Sequence, residues 1–243
     1  MVDNKSYFDA HAHLHAYHKE PDFYHQLILN LDKMKSPITV LDLGCGDGSF
    51  VKNFIQEGIV GNFIGVDISS SMLSSAKKLL QGDNVDLIAA DGFTLPFIDD
   101  TRFDLIHLDS VLHHLIGKTR SKSRDLVEEM LEILSTKLSD KGFILVEEMY
   151  YESYVVSGLT AHIIFYGLKL INALKLDLSK RMKHIIPGLE VSFYSENELM
   201  GLLNKFGEVK VIKRSAGRVS RLQRLFLQKN FGHISFIVKN NRG

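Results

Sequence analysis

The chain has 243 residues with 29 cations and 29 anions, a length that fits one large α/β domain or a domain carrying an insertion. At 45% hydrophobic and 24% charged residues it has the composition of a soluble globular protein, which excludes a disordered chain and makes a core possible without disulfides or metals. A lone cysteine, Cys45, excludes an internal disulfide. With an opening stretch that lacks the apolar core of a signal peptide, it sets the expectation of a reducing, cytoplasmic location.

In chain order, residues 6–35 read as one or two helices broken near Pro21, a leading helical lid over 1–35. Ile38–Leu43 reads as a buried strand running into glycines, and Asp47–Glu57 as a helix. Asn62–Asp67 is a second strand, and Ser69–Gln81 a helix opened by serines, which cap well. Val85–Ala90 and Phe103–Asp109 are the third and fourth strands. Ser121–Leu138 is an amphipathic helix with Leu126, Met130, Ile133 and Leu134 on its apolar stripe, and Gly142–Met149 is the fifth strand. Alternating strands and helices predict parallel βαβ units, and continuous apolar strands predict a sheet covered on both faces.

After Met149 the pattern changes. Ser153–Leu168 has no charged residue but spans only 16 positions, short of the roughly 20 a membrane span needs. No transmembrane segment is therefore expected, and 150–194 reads as an inserted helical cap. A helix at Ser195–Phe206, a strand at Glu208–Lys213, a basic helix near Arg218–Gln228 and a strand at His233–Lys239 complete one domain over 1–243. From Val209 to Gly243 there are nine Lys/Arg and no Asp or Glu. Arg218, Arg221 and Arg224 share a helical face that could bind an anionic group, or be a solvated cationic surface.

The sharpest motif is VLDLGCGDGSF, residues 40–50. Gly44, Gly46 and Gly48 follow a strand and open a helix, where a tight turn and a closely approaching ligand exclude side chains. A dinucleotide site would read G-x-G-x-x-G; here the third glycine comes one residue early. Asp67 ends the second strand, 21 residues after Gly46, near the roughly 20 expected for a carboxylate that accepts from ribose hydroxyls. Asp91-Gly92-Phe93 follows the third strand. Asp91 could accept from an adenine amino group while Phe93 or Ile68 covers the ring, or the pair could be a plain turn.

Together these residues resemble the class I S-adenosylmethionine-dependent methyltransferases of small-molecule type, most specifically at 40–50, 63–68, 91–93 and 103–115. The resemblance implies a Rossmann-like doubly wound sheet of seven strands, order 3-2-1-4-5-7-6 with the last antiparallel. It implies S-adenosyl-L-methionine as cofactor and S-adenosyl-L-homocysteine as product. By the same resemblance Asp42, Gly44 and Gly46 hold the methionine part, Asp67 the ribose and Asp91 the adenine, with Cys45, Ile68, Met72, Gly92 and Phe93 as further candidate cofactor contacts. The backbone of Leu108 and Asp109 meets the methionyl amino group. An aromatic residue of the N-terminal stretch (Tyr7, Phe8 or Tyr17) closes over the cofactor, its ring face suited to a sulfonium cation.

Methyl transfer to oxygen also needs a proton taken from the acceptor. His113 and His114, in HLDSVLHHL after the fourth strand, are the candidate bases. Glu147 and Glu148 end the fifth strand, and only one of two adjacent strand residues can face the crevice. Glu147, Tyr150 and Tyr151 are the candidate acceptor contacts. His11, His15 and His18 share a helical face beside His13 but have no cysteine or evident carboxylate partner, so they read as lid histidines rather than metal ligands. The aromatic, apolar cap suggests a small-molecule acceptor that is lipid-like or anionic, and the chain lacks the motifs of base-amine and cytosine-C5 methylation. Nucleic acid is the less favoured partner. The alternatives are a tRNA or rRNA methyltransferase using the basic C-terminal region, a non-catalytic cofactor-binding protein and a nicotinamide dehydrogenase. The oligomeric state stays open, a homodimer included.

Overall fold

The computed structural model describes residues 37–95, 101–176, 188–225 and 227–239, together with Leu27 and Leu31. The chain runs β1 (Ile38–Leu43), α1 (Ser49–Gln56), β2 (Gly61–Asp67), α2 (Ser70–Leu79), β3 (Val85–Ala89) and β4 (Phe103–Asp109). A 3₁₀ turn at Leu112–His114 follows, then α3 (Arg120–Thr136), β5 (Leu138–Ser153), α4 (Leu159–Ala173), α5 (Glu196–Leu203), β6 (Glu208–Arg214), α6 (Arg221–Leu225) and β7 (Gln228–Lys239). The seven strands order as β3-β2-β1-β4-β5-β7-β6, with β7 antiparallel to both neighbours and the other pairings parallel. This is the sheet the resemblance implies. The chain crosses β1 on its way from β3 to β4, so the carboxyl ends of β1 and β4 border the crevice where such sheets bind ligands.

Alternation along the strands divides the core. Val40, Leu105, Leu145 and Ile237 pack with Phe50, Phe54, Ala76 and Leu80 of α1 and α2 and its C-cap, and with helical Leu27 and Leu31, on one face. Leu41, Ile106, Val146 and Phe236 pack with α3 and α5 on the other. On α3 the buried stripe is Ser123, Val127, Met130, Leu131 and Leu134. The expected Leu126 and Ile133 are only half-buried, because the helix is rotated by about one position to seat Val127 and Leu131 against the sheet.

Three expected elements are corrected. β5 continues to Ser153 because it pairs with β7 as far as Ser153↔Gln228, so α4 starts at Leu159, after Gly158 with φ 80°, rather than at Ser153. α6 is only five residues; Arg218 precedes it, and Arg218, Arg221 and Arg224 are all exposed. β7 begins at Gln228 rather than His233, and Leu225, which ends α6, is 77% exposed. The N-terminal lid with Tyr7, Phe8, Tyr17 and its histidines lies outside the described residues, as does part of the 150–194 segment (177–187).

Candidate active site

The glycine turn is built by β1 and β2 together. The N–H groups of Gly44 and Cys45 both donate to Val66 O, at 2.7 and 3.0 Å, and Gly48 N–H donates to Cys45 O at 2.9 Å. Gly44, Gly46 and Gly48 have φ of 74°, 54° and 80°, a region that costs an L side chain strain. Packing excludes a side chain as well: a Cβ at Gly44 would stand 2.6 Å from Val111 Cγ2, and one at Gly48 2.7 Å from Leu80 Cδ1. The first of these contacts also shows that the segment after β4 lies directly on the glycine turn.

Asp67 ties the turn to α2. Its Oδ2 accepts from Gly46 N–H at 2.9 Å and its Oδ1 from Ser69 N–H at 2.7 Å. Ser69 then caps α2, accepting from Met72 N–H at 3.2 Å. Each carboxylate oxygen still has acceptor capacity, so Asp67 can hold the turn and a ribose at once. Met72 is buried under Gly46, to whose added Cβ its Cε would come within 3.0 Å. The Cys45 side chain packs on Gly65 of β2, and burial, reinforced by Asp42 and Asp67, pushes its thiol well above the usual range. Cys45 is therefore held as a thiol, not a thiolate nucleophile. Asp91 accepts from Phe93 N–H at 3.0 Å in a surface turn, with Phe93 half-buried against the core; Ile68 is half-buried too.

Asp42 reaches sideways into the sheet. Its Oδ1 meets His107 Nδ1 at 2.7 Å, His107 Nε2 meets Glu147 Oε1 at 3.2 Å, and Ser235 Oγ donates to Glu147 Oε2 at 2.8 Å. This row crosses β1, β4, β5 and β7 on one face and is buried throughout. Phe50 of α1 stacks on the imidazole with ring centroids 3.6 Å apart. Burial alone would lower the His107 pKa, but Asp42 and then Glu147 outweigh it and raise it from 6.5 to about 9. His107 thus carries a proton between two carboxylates at neutral pH. Asp42 Oδ2 is buried with no hydrogen-bond partner among the described residues. Sequence reasoning passed over His107 as one more strand residue; the signal was a histidine two positions before the carboxyl end of β4, in register with Asp42.

Glu148 points to the opposite face. It accepts from Leu112 N–H at 2.8 Å through Oε1 and meets His113 Nδ1 at 2.7 Å through Oε2. Neither glutamate faces solvent: both are fully buried. His113 is buried beside His114, with ring centroids 4.2 Å apart, and beside Phe193 at 5.0 Å. Phe193 continues to Tyr151 at 4.6 Å, and Tyr151 to Phe231 at 5.9 Å. Ser192 N–H donates to His113 O at 2.8 Å, fastening the 191–194 segment to the histidines. The structure therefore gathers His113, His114 and Tyr151 and adds Phe193 and Phe231, which sequence reasoning missed because four separate segments supply these rings. Tyr150 is not part of it: the side chain is buried in the core and its hydroxyl donates to Ser215 O at 3.1 Å. Leu108 is buried, while Asp109 is half-buried and accepts from Ser110 Oγ at 2.9 Å. Among the described residues no group of His, Cys, Asp and Glu has the arrangement of a metal site.

Residues 40–137 match the family model described as a methyltransferase domain. A mitochondrial ubiquinone biosynthesis O-methyltransferase of Candida albicans is 34% identical over 84 residues, 33% of this chain and 25% of that protein. The chain thus spans about a quarter of that relative's length. Among solved structures, the YcgJ protein of Bacillus subtilis superposes with a TM-score of 0.60 at 19% identity, covering 90% of this chain and all of that one. The N-terminal domain of EvdMO1 with S-adenosylhomocysteine bound superposes with a TM-score of 0.58 at 15% identity, covering 92% and 82%.

Proposed function

We propose, for a chain with the class I S-adenosylmethionine-dependent methyltransferase fold and a methyltransferase domain at 40–137, that it methylates an oxygen nucleophile on an apolar, lipid-linked or sugar-linked small molecule. The observation that carries this reading is the His113–Glu148 pair at 2.7 Å, on a segment whose Val111 lies against Gly44. The Candida albicans relative bears the name of an O-methyltransferase, which supports oxygen as the accepting atom.

The cofactor fits the residues present. The glycine turn leaves a side-chain-free cradle, and Asp42 Oδ2 is a buried acceptor without a described partner beside it, suited to an ammonium group. Asp67 retains acceptor capacity for ribose hydroxyls, and Asp91 stands at the next strand end for the adenine. S-adenosylmethionine, when bound, supplies an electrophilic methyl group and leaves as S-adenosylhomocysteine.

His113 is the general base. Glu148 accepts its Nδ1–H, which leaves the Nε2 lone pair to take the acceptor's hydroxyl proton as the oxygen–methyl bond forms. Leu112 N–H, donating to the same carboxylate, holds Glu148 in place. Tyr151, Phe193 and Phe231 form an apolar wall for the acceptor. Calorimetry should show binding of S-adenosylmethionine and none of NAD. His113→Gln should lower kcat by about 10²–10⁴-fold on a quinol or catechol acceptor while leaving cofactor affinity unchanged. An unaltered kcat would remove His113 from the reaction, and NAD binding in place of S-adenosylmethionine would overturn the reading as a whole.

A further inference from the structure

Exposed apolar side chains are ordinary when scattered and informative when gathered. Of the eleven large hydrophobic residues exposed among the described residues, nine fall at 154–176 and 225–227. Tyr154, Val155 and Val156, just past the end of β5, are 57%, 66% and 61% exposed, and Leu225 before β7 is 77% exposed. The two loops are one surface, because Tyr154 N–H donates to Leu227 O at 3.0 Å directly above the Ser153↔Gln228 pair. α4 leaves from this tip and carries exposed Tyr166, Leu170 and Leu174 at helical spacing.

The same tip is cationic. Arg218, Arg221, Arg224 and Lys229 are exposed, and none has a carboxylate partner among the described residues. No acidic residue occurs after Glu208. In that stretch Arg214 pairs with Glu196.

We propose that the tip of the β5–β7 ladder, with Tyr154, Val155, Val156 and Leu225 ringed by Arg218, Arg221, Arg224 and Lys229, docks peripherally on an anionic lipid bilayer. Protruding aliphatic groups among cations are what a headgroup layer accommodates: the apolar side chains enter the acyl boundary and the cations meet lipid phosphates. A second copy fits poorly, since a two-fold contact through this tip would set the arginine cluster against itself. Nucleic acid would match the charge but gives Val155, Val156 and Leu225 nothing to cover them. Docking is peripheral because no helix among the described residues is long and apolar enough to cross a membrane. The tip lies past the carboxyl end of β5 at Ser153, beyond Glu147 and Glu148 on the same strand.

The test is flotation of the full chain with vesicles of phosphatidylcholine alone or mixed with phosphatidylglycerol, without cofactor or acceptor. It therefore stands or falls separately from the methyl-transfer reading. The chain should bind the anionic vesicles, more weakly at high salt. Arg221→Glu/Arg224→Glu and Val155→Ser/Val156→Ser/Leu225→Ser should each weaken binding at least about tenfold. Lys77→Glu/Lys78→Glu, exposed on α2 toward the β3 edge, should not. Circular dichroism of each variant separates lost docking from lost folding. Failure to bind anionic vesicles, or equal binding by the tip variants, overturns the proposal. So does a dimer in sedimentation velocity that the serine variant dissolves, or an RNA complex that forms where vesicles do not bind.

Discussion

Asp67 accepts backbone N–H groups from Gly46 and Ser69, so the binding role proposed for it is inseparable from its role in shaping the turn. Asp67→Ala should lower S-adenosylmethionine affinity at least about tenfold and also cost about 1–3 kcal/mol of stability. Asp67→Asn, which keeps one acceptor oxygen, should lose less of both; calorimetry and urea unfolding read the two effects. His107 makes a different prediction. Its folded pKa lies above the unfolded value, at about 9 against 6.5, so the stability it contributes is fully present below about pH 6.5 and is lost as pH rises through 9. At about 1.4 kcal/mol per unit this amounts to about 3 kcal/mol. Thermal melts from pH 6 to 10 should show the decline, and His107→Gln should flatten it. Asp42 was a candidate through the resemblance and Glu147 through its place on the fifth strand, but the histidine that bridges them was not legible, because strand register alone places it between them.

At the scale of elements, a clamp fixes the segment that carries Phe193 of the proposed acceptor wall. Arg120 opens α3 and is buried. Its Nη1 donates to Glu198 Oε1 of α5 at 2.5 Å, and its Nη2 donates to Glu198 Oε2 at 2.8 Å and to Phe193 O at 2.7 Å. Glu198 also completes a capping box with Ser195, and it leaves room only for glycine at 158, where a Cβ would stand 2.8 Å from its carboxylate. The Arg120–Glu198 pair therefore joins α3, α5 and the loop bearing Phe193, with Gly158 before α4 packed against the carboxylate. Burial would raise the Glu198 pKa, but the Arg120 hydrogen bond and the Ser195 N–H outweigh it and lower it. Its stabilisation is present above the ordinary carboxylate range and is lost as pH falls through the folded value. Arg120→Met should cost about 3 kcal/mol in urea unfolding, because it strands a largely buried charge. It should also raise the acceptor KM by loosening Phe193. The α5 capping box is visible in the sequence as Ser195 and Glu198; Arg120, 78 residues away from Glu198, is not.

The cofactor site proposed above draws on the ends of β1, β2, β3 and β4, so filling it should tighten most of the sheet at once. S-adenosylmethionine at about a hundred times its Kd should add about 2.7 kcal/mol and raise Tm by about 5–10 °C, with no rise from NAD, measured by differential scanning calorimetry. The sequence by itself determined the alternation of strands and helices, the glycine turn and Asp67. Those signals are local: apolar runs, a strand–turn–helix junction and a fixed spacing. Strand order and the reversal of β7 followed from resemblance, not from any periodicity. Tertiary structure alone decided which glutamate faces which histidine, since adjacent residues of β5 point to opposite faces and each finds its partner on a different element. It also decided that Tyr150 belongs to the core and that the arginine row faces outward. Both depend on how far the β5–β7 ladder runs, a long-range pairing that side-chain pattern does not encode.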